Sequence, residues 1–113
     1  MKFRVAIEGI PGVTVRVAAS DVVQTIPVAV YSRDDHPAIF LDITVEDQSI
    51  RYAFRVDPEN DNGDSTDLGH ILYAGGSIQL QNSQQIRHFR YINHTQQTTA
   101  VLQMTPGFEV GTN

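Results

Sequence analysis

Apolar and polar residues alternate with a period of two in about eight short segments of this chain. No stretch of more than a few residues carries a helical period. Successive side chains of a strand point to opposite faces, so such segments build sheets with one apolar and one polar face. Two such faces must be packed against each other. The chain is therefore expected to be all-β: an antiparallel β-sandwich of about eight strands, most simply a jelly roll. A small closed β-barrel is the alternative.

With 113 residues, the expectation is one domain spanning residues 1–113. A chain of this size buries roughly two thirds of its unfolded surface and needs no covalent staples. The absence of cysteine agrees, and removes disulfides, thiolate metal sites and thiol nucleophiles. Small secreted domains usually rely on disulfides, so synthesis in the cytoplasm is expected. No apolar run approaches the roughly 20 residues that span a bilayer. Met1-Lys2-Phe3-Arg4-Val5 interleaves charge where a signal peptide has a continuous apolar core. These features predict a soluble chain without membrane contact or cleaved leader. The net charge of −5 argues against a sequence-independent nucleic-acid binder, which works by neutralising phosphates. Seven of the eight basic residues are arginine, whose planar fork suits interfaces better than lysine's ammonium.

The first strand is expected over Phe3 to Ile7, followed by a Gly9-Ile10-Pro11-Gly12 turn and a strand carrying Val13, Val15 and Val17. Ile26, Val28 and Val30 read as the apolar face of a third strand, with Pro27 placing it at an edge or bulge. A polar loop over residues 32–37 precedes the clearest alternation. Ile39, Leu41, Ile43 and Val45, then Ile50, Tyr52, Phe54 and Val56, predict a hairpin turning at Asp47-Gln48-Ser49. Its outward acids Asp42 and Glu46 would face Arg51 and Arg55. Residues 57–69 form a long irregular acidic segment, expected to be solvated. Strands over 71–80 follow, kinked at Gly75-Gly76, where a bulge or a close backbone approach is expected. A turn at 82–85, a strand over Ile86 to Ile92 and a last strand over Thr99 to Met104, ended by Pro106-Gly107, complete the pattern.

No motif in this pattern carries catalysis. The serines occupy turns, and Gly75-Gly76-Ser77 is better read as a kink than as an oxyanion cradle. Asp42 and Glu46 are better read as solvated ion-pair partners than as glycosidase carboxylates. His36, His70, His88 and His94 lack the close spacing of zinc ligands. Only a tight turn would bring His88 and His94 together. Asp57, Glu59, Asp61, Asp64 and Asp67 offer hard oxygens for calcium around Gly63, but not at EF-hand spacing. No cofactor and no metal are expected. Asn93-His94-Thr95 matches a glycosylation sequon, which has no meaning without a secretory route.

One compositional shift stands out. Residues 79–113 hold seven glutamines but only three charged residues, Arg87, Arg90 and Glu109. Polar, nearly uncharged surface with interleaved Arg and aromatics is typical of protein interfaces, although a glutamine-rich solvent face has the same composition. Within this region, Ile71-Leu72-Tyr73-Ala74-Gly75-Gly76-Ser77-Ile78-Gln79-Leu80, Ile86-Arg87-His88-Phe89-Arg90-Tyr91-Ile92 and Ala100-Val101-Leu102-Gln103-Met104 resemble the closing strands of small bacteriophage capsid cement or decoration proteins. The resemblance lies in strand texture within residues 71–104 and does not extend to the N-terminal half. It implies a non-enzymatic jelly roll of the virion that binds the major capsid (coat) protein, bridges coat subunits and forms dimers or trimers. Gln84, Gln85, Arg87, Arg90 and Tyr91 are the expected contact residues. The alternative function is a carbohydrate- or receptor-binding β-sandwich, calcium-assisted through residues 57–67.

Overall fold

The computed structural model describes residues 9–33, 36–61 and 67–109. The strand expected over Phe3 to Ile7 lies outside them. The described residues form eleven strands and two short helices in chain order: β1 (Gly9–Pro11), β2 (Val15–Ala18), β3 (Gln24–Thr25), α1 (Val28–Tyr31), β4 (Ser32–Arg33), β5 (His36–Pro37), β6 (Phe40–Glu46), β7 (Ile50–Phe54), β8 (His70–Leu72), β9 (Ser77–Leu80), α2 (Ser83–His88), β10 (Phe89–Asn93) and β11 (Val101–Glu109).

Two antiparallel sheets carry the fold. The first runs β1-β11-β6-β9, with β2 continuing beside β11, and the second runs β3-β10-β7-β8. β4 and β5 form a small separate hairpin. Five pairings define the topology: β1 and β2 with β11, β3 with β10, β6 with β9, and β7 with β8. The early strands thus pair with the late ones in reverse order, as in one long hairpin. That hairpin is rolled up so that β11 also meets β6 and β10 meets β7. This is the jelly roll, and the sandwich expected from the alternation is realised.

The core lies between the sheets. Leu41, Ile43, Val45, Leu80, Leu102 and Met104 from the first sheet meet Ile50, Phe89 and Tyr91 from the second in one buried cluster. Phe89 stacks on Tyr52 at 5.3 Å and lies 6.0 Å from Tyr91.

The structure corrects several local expectations. β6 and β7 do not form a hairpin: they lie in different sheets. The turn between them, with Asp47 at φ 71°, carries the chain from one layer to the other. Alternation specifies which face is buried but not which strand is the neighbour. Asp42 therefore accepts from Gln79 Nε2 on β9 at 2.8 Å instead of meeting an arginine. The Ile26–Val30 segment is not a strand. Pro27 has no N–H to donate to a ladder, and a single helical turn follows it. Ile26, ahead of the turn, and Val30, within it, are buried while Val28 is exposed. Ile86 to His88 also belong to a helix instead of a strand.

β11 runs through Pro106-Gly107 to Glu109 and does not end there. Pro106 accepts from the Gly12 N–H at 2.8 Å, so its missing donor faces the break between β1 and β2. Gly107 lies under the Phe40 ring, where a Cβ would come within 2.1 Å of Cζ. At Gly75-Gly76 the expected close approach occurs: Gly75 donates to Val45 O at 2.7 Å, and Val45 donates to Gly76 O at 3.0 Å. Gly75 itself has φ 89°.

Candidate binding face at the end of the sandwich

The site is built around α2. Asn82 caps the helix by accepting from the Gln85 N–H at 2.9 Å, and Gln85 Oε1 accepts from the Gln81 N–H at 2.7 Å. This reciprocal arrangement is close to a capping box. Ile86, fully buried, pins the helix to the core. The Arg55 N–H donates to the His88 carbonyl at 3.0 Å, which ties the end of β7 to the end of α2. Between them lies a cleft of about 320 Å³ lined by Phe54, Arg55, Gln84, Gln85 and His88.

The cleft is cationic although the chain is acidic. Burial, then Arg55, Arg87 and Arg90 in that order, hold the His88 pKa below its usual value. The imidazole is therefore neutral at pH 7 and the local charge resides on guanidinium groups. Arg90 pairs with Asp57 at 2.8 Å. Among the described residues, Arg55 and Arg87 have no ion-pair partner. Arg55 sits at φ 70°, a left-handed conformation that costs a non-glycine residue about 1–2 kcal/mol. Phe54 is 38% exposed at the mouth, with its ring 5.7 Å from Phe89.

The five residues expected from sequence to meet a partner divide into three groups. Gln84 and Gln85 line the cleft, and Arg87 is exposed beside it. Arg90 lies half-buried on the outer face of β10. Tyr91 is fully buried in the core, so its side chain is not at the surface. Its hydroxyl has no hydrogen-bond partner among the described residues, and burial pushes its pKa up to about 12. The sequence placed Phe54 on an apolar face, Arg55 opposite acids and His88 among scattered histidines, and none of them at a partner surface. The signal that finds them is Asn82 with Gln85 three residues on, which marks a helix start and brings His88 back toward β7.

The acidic segment is not a free loop at its two stems. Its described flanks, 57–61 and 67–69, bond to the second sheet, where the outward-facing Arg51, Ala53 and Ile92 are all buried. Arg51 donates to the carbonyls of Asp67 and Gly69, each at 3.2 Å, and to His94 Nδ1 at 3.3 Å. Asn60 Nδ2 donates to Asn93 O at 2.6 Å. Of the acids considered for calcium, Asp57 is held by Arg90 and Glu59 Oε1 accepts from the Leu68 N–H at 2.9 Å. Gly63 and Asp64 lie outside the described residues. Among the described residues, no group of three or more His, Cys, Asp or Glu converges to hold a metal. His88 and His94 sit at opposite ends of β10, and His70 packs against Tyr52 at 5.3 Å. The His36 side chain is outside the described set. Among the described residues, no helix is long and apolar enough to cross a membrane.

Asn93 of the sequon is fully buried. Its Oδ1 accepts from the Ala100 N–H at 3.2 Å, and its Nδ2 donates to Thr98 O and to Asp21 Oδ1. It joins the β2–β3 corner to the β10–β11 corner, where no glycan can be attached in the folded chain. In comparisons with protein-family models, curated proteins and solved structures, nothing significantly matches this chain.

Proposed function

We propose that the protein is a non-enzymatic structural component of a bacteriophage particle. It binds the outer shell and stabilises it by bridging coat subunits, as a dimer or trimer. The observation that carries this reading is the end of the sandwich. There α2, β7 and β10 gather three arginines, two of them unpaired among the described residues, with two glutamines and an exposed phenylalanine. Arg and aromatic residues carry most of the energy at protein interfaces, and amides supply adaptable hydrogen bonds. Many copies on one shell make weak individual contacts sufficient.

The test is occupancy on purified particles from the native source. The chain is expected in the particle fraction at fixed stoichiometry to the coat protein. Replacing Arg87 and Arg90 by Ala removes one unpaired guanidinium and one surface pair worth at most about 1 kcal/mol, so the fold survives. Occupancy should nonetheless fall. A chain absent from particles, or full occupancy in the double variant, would overturn the assignment.

A further inference from the structure

The cleft beside α2 has features that narrow the chemistry of its occupant. Arg55, Gln84, Gln85 and His88 line it together with the exposed Phe54 ring, so it offers polar groups beside apolar surface, and its volume is about 320 Å³, room for two or three side chains. The acids exceed the bases by 13 to 8, yet Arg55 and Arg87 have no acidic partner among the described residues. Arg55 is also held in a strained backbone conformation whose N–H is anchored on His88. That anchoring fixes the point from which its side chain leaves the sheet. Guanidinium groups without an acidic partner among the described residues, beside a neutral amide, Gln84, complement a carboxylate.

We propose that this cleft receives a short acidic segment of the protein partner, with a carboxylate on Arg55 and Arg87 and a neighbouring apolar side chain on Phe54. The inference rests on reading this face as the binding surface, and it names the chemistry that the face reads. A long polyanion fits poorly. The cationic patch is confined to one end of a chain of net charge −5, and Asp57, already paired with Arg90, stands beside it. A single carboxylate avoids that repulsion.

Proton linkage follows from the same geometry. His88 is faced by Arg55 from the end of β7, Arg87 on its own helix and Arg90 on β10, all disfavouring its protonation. A carboxylate placed among these groups offsets their field and raises the His88 pKa. Binding then takes up protons and tightens as pH falls from 7.5 to 6.

The test uses the full chain followed by NMR with three ligands: a capped Leu-Asp-Glu-Leu peptide, its Leu-Asn-Gln-Leu counterpart and octathymidylate. The acidic peptide at millimolar concentration is expected to shift residues 54–55 and 84–88 and to raise the His88 titration midpoint. The amide peptide should leave both unchanged. Arg55→Gln and Arg87→Gln, neither of which breaks an ion pair in the structure, should each weaken the acidic peptide about two- to fivefold. Equal binding of the amide peptide, no shift at these residues, or tighter binding of octathymidylate would overturn the proposal. Particle occupancy without acidic-peptide binding would sink this inference and leave the structural role standing. Peptide binding without particle occupancy would do the reverse.

Discussion

Asn93→Ala tests whether the two corners of the jelly roll are joined as the hydrogen bonds indicate. The side chain satisfies the Ala100 N–H and the Thr98 carbonyl, and it reaches Asp21 at 3.4 Å. Asp21 is exposed, so water replaces that contact at little cost. The Ala100 N–H is interior, and truncation leaves it and the Thr98 carbonyl without their partner. Orphaning a buried polar group costs about 1–3 kcal/mol, so the pair predicts a loss of about 3 kcal/mol. A domain of this size has roughly 5–15 kcal/mol of stability in total. Urea unfolding followed by circular dichroism should show a midpoint lower by roughly 2 M at an ordinary denaturant slope. Asn93→Asp keeps the acceptor for Ala100 but places a second carboxylate near Asp21. It should therefore be at least as unstable at pH 7 and recover as pH falls toward 5, when protonation restores a donor. A midpoint shift below about 0.5 M for Asn93→Ala would refute the reasoning, because the corner would then be held by other groups.

Three further outcomes are expected. Gly107→Ala drives a Cβ into the Phe40 ring and should destabilise by about 1–3 kcal/mol, with Phe40→Ala relieving part of that loss in a double-mutant cycle; simple additivity would show that the ring gives way freely. Tyr91→Phe removes a hydroxyl that has no partner among the described residues and should stabilise by about 1 kcal/mol at pH 7. Because the folded-state pKa of Tyr91 is raised to about 12, wild-type stability is present below the unfolded value near 10 and is lost as pH climbs between them. The Phe variant should lack that loss, and its advantage in thermal melts should widen by up to about 2–3 kcal/mol from pH 10 to pH 12; a constant difference would mean the hydroxyl is solvated. Arg55→Gly relieves a left-handed φ and should raise stability by about 0.5–1 kcal/mol while lowering particle occupancy, whereas a drop in stability would show that the Arg55 side chain supports the fold.

The alternation of Leu41, Ile43 and Val45 with Asp42, Thr44 and Glu46 is a direct record of one face turned to the core, and the structure buries those three apolar residues. Partner identity leaves no such record. Ile50 to Phe54 alternates equally well whether it pairs with β6 or, as found, with β8 and β10. Arg51 shows the consequence. Placed on the outward face by its period, it is nonetheless buried, because the chain at Asp67 and Gly69 folds back over that face and accepts from it. Asn82 and Gln85 held a legible helix signal that the aromatic and β-branched texture of the following residues obscured. Gln84, Gln85, Arg87 and Arg90 were singled out by composition, and the structure brings Gln84 and Gln85 to the cleft. Phe54, Arg55 and His88 join them only through the turn of the chain between β7 and α2, which depends on tertiary pairing.

Hydrogen exchange of the chain on the particle, compared with the free chain, tests the binding face most directly. The account predicts slowed exchange at 54–57 and 84–90, with the edge strands β8 and β9 unchanged. Protection confined to those edges, with 84–90 exchanging as in the free chain, would contradict it.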